Sequence, residues 1–213
     1  MRAVVTRPNP PVEGLVWLAG DGLGAWASPW EGAAEPTRER LLEHHAHVAA
    51  VHAAADCLPV RFPTLAEDAG PLNARRDALL AALARVRGKT ELALTLAWTS
   101  PLPPPSQEHP HLLPLPAGEG TRYLRARRAY WRAREERDGA AHRLADQLRT
   151  ELALPPDDVL VRVAPNDQIA VSLAALVPRA DAPTYLRILS QPRPHLRVVV
   201  NGPWPPYSFA TAE

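Results

Sequence analysis

Residues Leu196 to Phe209 read LRVVVNGPWPPYSF. Val198, Val199 and Val200 are β-branched with no polar break, which predicts a buried strand. Asn201-Gly202 is expected to end it, and Pro203 has no N–H to offer a ladder. Beyond that stop, Trp204, Tyr207 and Phe209 ride on a backbone that Pro205-Pro206 holds near an extended polyproline path. Stiff aromatics lose little entropy on docking, so the tail must lie on apolar surface, either of this chain or of a partner.

The elements before it can be read in reverse. Asp181 to Ser190 is a short helix with Pro183 near its start; Pro192 and Pro194 break it. Val159 to Val163 and Ile169 to Val177 are strands. The turn at Pro165-Asn166-Asp167 is short enough to force antiparallel pairing. Gly120 to about Ala153 is the longest helix. Its expected apolar stripe is Tyr123-Leu124, the stem of Arg127, Tyr130-Trp131, Ala141, Leu144, Leu148 and Leu152, and Pro155-Pro156 stops it. Thr90 to Trp98 alternates, with Leu92, Leu94, Leu96 and Trp98 on one face. Between this strand and the long helix, prolines dominate from Thr99 to Glu119. A connection of that length without secondary structure is functional or disordered. From Lys89 onward the order is β-α-β-β-α-β, the ferredoxin-like arrangement of one antiparallel sheet covered by two helices.

The N-terminal part reads differently. Ala3 to Thr6, Gly14 to Leu18 and Leu23 to Ala27 are short strands, the last two joined by a turn at Gly20-Asp21-Gly22. No long helix opens after these glycines, so a hairpin is favoured over a phosphate loop. Pro36 opens a helix to about Ala55, with Leu41, His45, Val48 and Val51-His52 on its inner face. Leu58 to Phe62 is a buried strand. A helix from near Pro71 to Arg87 ends at Gly88 as C-cap. The fold class is therefore α+β in two domains: residues 1–88, and residues 89–213 with the GPWPPYSF tail.

Of the 24 basic residues only Lys89 is lysine, and the formal net charge is +1, which supplies no bulk attraction to nucleic acid or anionic membrane. A single cysteine, Cys57, excludes an intrachain disulfide and fits a reducing compartment. No apolar run follows the N-terminus, and no window is long and apolar enough for a bilayer span; a cytoplasmic protein is expected.

Several clusters invite chemistry. His44, His45, His47 and His52 share one helix. Zinc sites on a helix use pairs at i, i+4 with further converging ligands, and this pattern has neither. A buried histidine face bonded to a neighbouring strand is favoured. Cys57 lacks an evident base and reads as a small buried hydrophobe. Ser172 and Ser208 sit in no nucleophile elbow, and Asp157, Asp158 and Asp181 lie where helix capping accounts for acids. The arginines from Arg122 to Arg137 point all round the long helix among Glu135, Glu136 and Asp138. That describes a solvated face better than a nucleic-acid surface. No catalytic residue, metal or cofactor is expected.

The tail Gly202-Pro203-Trp204-Pro205-Pro206-Tyr207-Ser208-Phe209 resembles the C-terminal signature of the gas vesicle F/L-type protein family (GvpL/GvpF). Two further stretches resemble the family in the same order. One is Glu43-His44-His45 followed by Leu58-Pro59-Val60-Arg61-Phe62; the other is Gly120-Thr121-Arg122-Tyr123-Leu124. Pro63 stands where the family has a glycine, and the first strand is short for the family. The resemblance implies an α+β N-terminal domain, a modified ferredoxin-like C-terminal domain and an accessory role in gas vesicles. The implied partners are the hydrophobic shell protein and other vesicle proteins, not nucleic acid or membrane. On that footing Trp204, Pro205, Pro206, Tyr207 and Phe209 are the candidate partner-binding residues, by apolar contact and strand addition. The same aromatics could instead fold back and seal the gap between the domains. A ferredoxin-like ligand-binding or regulatory module, in a host without gas vesicles, is the alternative function.

Overall fold

The computed structural model describes residues 1–6, 12–29, 35–102, 119–163 and 168–210. The Pro165-Asn166-Asp167 turn and nearly all of the proline-rich connection lie outside the described residues. The chain is mixed α+β and contains two four-stranded antiparallel sheets. Its residues gather into two compact units. One is built from Met1–Leu92, Ala174–Tyr185 and Asn201–Glu213; the other is built from Ala93–Leu173 and Leu186–Val200.

In the first unit, β1 (Ala3–Val5), β2 (Val16–Ala19), β3 (Gly24–Ala27) and β4 (Leu58–Pro59) form a sheet in the order β2-β3-β1-β4. The hairpin β2-β3 pairs Trp17 with Trp26, whose rings meet edge to face at 5.4 Å. The glycines between the two strands thus serve a turn. α1 (Arg38–Ala54) begins at Thr37, whose hydroxyl accepts from the Arg40 N–H and so satisfies one free donor of the first turn. The helix expected from Pro71 to Arg87 is two pieces, α2 (Gly70–Asn73) and α3 (Arg76–Val86). The break falls where the Asn73 side chain turns aside to accept from the Asp21 N–H. Gly88, at φ +68°, follows α3 in the left-handed region that glycine alone enters freely. One core cluster joins Val4, Leu23, Ala25, Leu58, Leu72, Leu83, Val86, Leu176 and Phe209.

The second sheet comprises β5 (Lys89–Trp98), β6 (Val159–Val163), β7 (Ile169–Pro178) and β8 (Leu196–Trp204), in the order β6-β7-β5-β8. Leu92, Leu94 and Leu96 are fully buried, as their alternation requires. Strands β5, β7 and β8 each run from one unit into the other along the chain. In the second unit α4 (Glu119–Leu152) packs on β6 and buries Ala141, Ala145, Leu148 and Leu152. Its stripe does not continue to the N-terminal half, where Leu124 is 64% and Trp131 49% exposed. α5 (Ala182–Leu189) is the short helix expected before the last strand.

β8 departs from expectation in two ways. It is a margin of the sheet, so Val198, Val199 and Val200 are half-buried rather than buried. It also does not stop at Asn201-Gly202 but continues through Trp204. A margin strand has one unpaired side, where the N–H that Pro203 lacks is not missed.

The aromatic tail and its cradle as the candidate functional site

Each tail residue has a defined seat within the first unit. Phe209 is 2% exposed, inside the core cluster with Val4 and Leu58, and the Arg85 guanidinium stands 5.4 Å from its ring centre. Pro205 and Pro206 are buried and Tyr207 is half-buried. The Tyr207 hydroxyl is hydrogen-bonded to His45 Nδ1 at 2.9 Å. Trp204 is 37% exposed, with one face against the His45 ring at 4.9 Å between centres. The tail is thus anchored by Phe209 and the prolines, while Trp204 keeps an open face. The seats of Phe209, Pro205 and Pro206 all lie within the first unit.

The cradle is polar as well as apolar. The buried Glu91 carboxylate accepts from both the N–H and the hydroxyl of Ser208, each at 2.7 Å. Burial raises the Glu91 pKa above its ordinary 4.5, and the two Ser208 bonds oppose the shift. The Thr90 hydroxyl donates to the Trp204 carbonyl at 2.9 Å. On its other side Thr90 meets His52 Nε2 at 3.4 Å. Arg179 donates to His52 Nδ1 at 3.1 Å, so that nitrogen is an acceptor and the ring proton sits on Nε2. Arg179 also donates to the Ala55 carbonyl and pairs with Asp56 at 3.1 Å. His52, Thr90 and the Trp204 carbonyl therefore form one directed chain of donors.

The histidines of α1 take separate roles. His44 is buried, and its Nδ1 accepts from Arg2 at 3.2 Å. Arg2 in turn donates to Ser28 at 2.8 Å and lies 3.6 Å from Glu43. Burial, followed by the Arg2 charge, lowers the His44 pKa to about 4. Burial, followed by Arg179, lowers that of His52 to about 4. His45 belongs to the tail. Among the described residues no group of three histidine, cysteine or acidic side chains is placed to hold a metal. Cys57 is buried, and desolvation raises its thiol pKa to about 12. No described helix is long and apolar enough to cross a membrane.

Sequence reasoning named the tail but missed Glu91, Arg179 and Arg2. Glu91 sits out of phase with Leu92 and Leu94, on the face that alternation assigns to solvent, yet there it is buried and meets Ser208 of the returning tail. No local signal announces that. Arg2 lies one residue before a buried strand, and its proximity to His44 spans 42 positions.

Comparison with known proteins places this geometry in a class. The family model described as gas vesicle synthesis protein GvpL/GvpF matches residues 11–211, and the chain belongs to that family. It is similar to gas vesicle protein L of Streptomyces sp. (strain CB03234). Identity is 30% over 183 residues, covering 78% of this chain and 67% of that one. Its fold is that of GvpF from Microcystis aeruginosa, with a TM-score of 0.70 at 17% identity over 98% of this chain and 97% of that one. GvpF from Anabaena sp. PCC7120 gives 0.68 at 17% identity, covering 99% and 96%.

Proposed function

We propose that the protein takes part in gas vesicle assembly by holding the hydrophobic shell protein, or another vesicle protein, through Trp204, Pro205, Pro206, Tyr207 and Phe209. Pro205, Pro206 and Phe209 fix the tail, Tyr207 orients it on His45, and Trp204 presents apolar surface to the client. The adjoining Asn201–Trp204 part of β8 lies at a sheet margin and offers backbone groups for strand addition. The observation that carries this reading is the half-open Trp204 on an otherwise anchored tail, since binding hot spots are enriched in large aromatics such as tryptophan. The protein acts inside the cell at the vesicle, by binding rather than by bond-making. The strand order β6-β7-β5-β8, with α4 and α5 as crossovers, supports a ferredoxin-like reading of the C-terminal domain at residues 89–213.

Co-purification with the shell protein tests the proposal. Trp204→Ala, which removes a partly exposed side chain, is expected to leave the fold intact. It should weaken capture by about 10- to 100-fold, the usual range for an aromatic hot spot. Undiminished capture by a folded Trp204→Ala/Tyr207→Ala variant removes the tail from the mechanism.

A further inference from the structure

A second surface of the first unit is a groove at a sheet margin. β4 is the margin of its sheet and is two residues long. Val60 N–H bonds the Arg2 carbonyl, and Ala3 stands opposite Pro59, so the Pro59 carbonyl faces the outer, unpaired side. Beneath this margin a groove of about 530 Å³ opens between the sheet face and the helices α2 and α3. Its floor is Val4, Leu58, Val60, Leu72 and Leu79, which all belong to the core cluster or pack against it. Val4, Leu58 and Leu72 are buried beneath it, while Val60 and Leu79 are half-buried and line the opening. Among the described residues, the charged side chains at the groove are Arg61 and Arg75, and no carboxylate lines it.

We propose that this groove docks an extended apolar segment of a partner protein that carries a carboxylate side chain, added alongside β4. An added strand places alternate side chains on one face, so its apolar residues enter the groove and continue the existing core. The acidic residue is specified by the guanidinium of exposed Arg61, which offers paired donors in the geometry a carboxylate accepts. Tyr207 and Ala210 form part of the same wall, so the docked segment touches the anchored tail. Trp204 does not line the groove, and this inference does not depend on its role.

The probe is the fluorescein-labelled peptide TVEVTVEV, with TVKVTVKV as its charge-reversed control, titrated against the full chain by fluorescence anisotropy. The acidic peptide should bind and the basic one should not. Arg61→Glu should weaken the acidic peptide about tenfold or more and admit the basic one, because the discriminating pair is reversed. Leu79→Trp, which fills the floor, should weaken binding, with the circular dichroism spectrum confirming an unchanged fold. No saturable binding up to about 1 mM peptide, the weak limit of specific recognition, would overturn the proposal. So would equal binding of both peptides, or indifference to Arg61→Glu in a folded variant. Binding of dodecanoate with neither peptide bound would give the groove to a small amphiphile and equally overturn it. None of these readouts uses a vesicle protein, so failure here leaves the Trp204 proposal standing or falling on its own test.

Discussion

Glu91 and Ser208 lie 117 positions apart in the chain, yet both donors of Ser208 end on the one Glu91 carboxylate at 2.7 Å. A buried carboxylate with two donors is a clamp whose strength depends on its charge. Ser208→Ala keeps the backbone donor and removes the hydroxyl. Leaving a buried acceptor short of a donor costs about 1–3 kcal/mol, so the variant should lose about that amount at pH 7 by urea unfolding. Because the native Glu91 pKa is raised, the folded state holds this proton more tightly than the unfolded chain does. The stabilisation linked to this proton, as distinct from the Ser208 bonds that oppose the shift, is complete below pH 4.5 and is lost as pH rises through the native value. Glu91→Gln should abolish that portion of the pH dependence, and an unchanged profile would refute the assignment.

Acid acts in the opposite sense through α1. His44 and His52 have native pKa values lowered from 6.5 to about 4, so each stays neutral in the fold while the unfolded chain takes up a proton. Their stabilisation is present above pH 6.5 and is lost as pH falls toward 4. Urea midpoints should drop between pH 7 and pH 5, with a net uptake of protons on unfolding near pH 5. His44→Asn and His52→Asn should each reduce that uptake by about one proton. The single Glu91 group opposes this trend but cannot cancel both histidines.

Gly202 sits at φ +118°, and a Cβ there would stand 2.8 Å from the Glu91 carbonyl and 3.1 Å from Leu92 Cδ2. Neither backbone nor packed leucine can yield cheaply. Gly202→Ala should therefore destabilise by about 1–3 kcal/mol or more, read as a lowered Tm. An alanine variant as stable as the parent would show that the strand end can relax.

Cys57 is buried, with its thiol pKa pushed up to about 12. The thiolate is the reactive species, so the native protein should resist iodoacetamide at pH 8 and react promptly in denaturant. Stoichiometric labelling of the native chain within minutes would contradict this burial.

What the sequence disclosed follows from which interactions are local. The alternation of Leu92, Leu94 and Leu96 identifies a strand because period two is a property of neighbours. Thr37 and Gly88 mark helix ends for the same reason. Periodicity does not say what covers a face: the stripe of α4 extends to Leu124 and Trp131, yet both are exposed. Pro203 read as a strand stop because the rule concerns strands paired on both sides, and β8 is a margin. The tail motif was visible as a stiff run of aromatics that needs an apolar seat. Its partition into buried Phe209 and half-open Trp204 was not, because that depends on His45 and Glu91, which are remote in sequence.

Val4 and Phe209 share one hydrophobic cluster, so the strand around Val4 cannot finish its core until residue 209 has left the ribosome. Until then, nascent β1 and β4 must wait with apolar surface uncovered. A ribosome stalled in the long proline-rich connection would hold a half-built unit exposed to chaperones, proteases and its own aggregation.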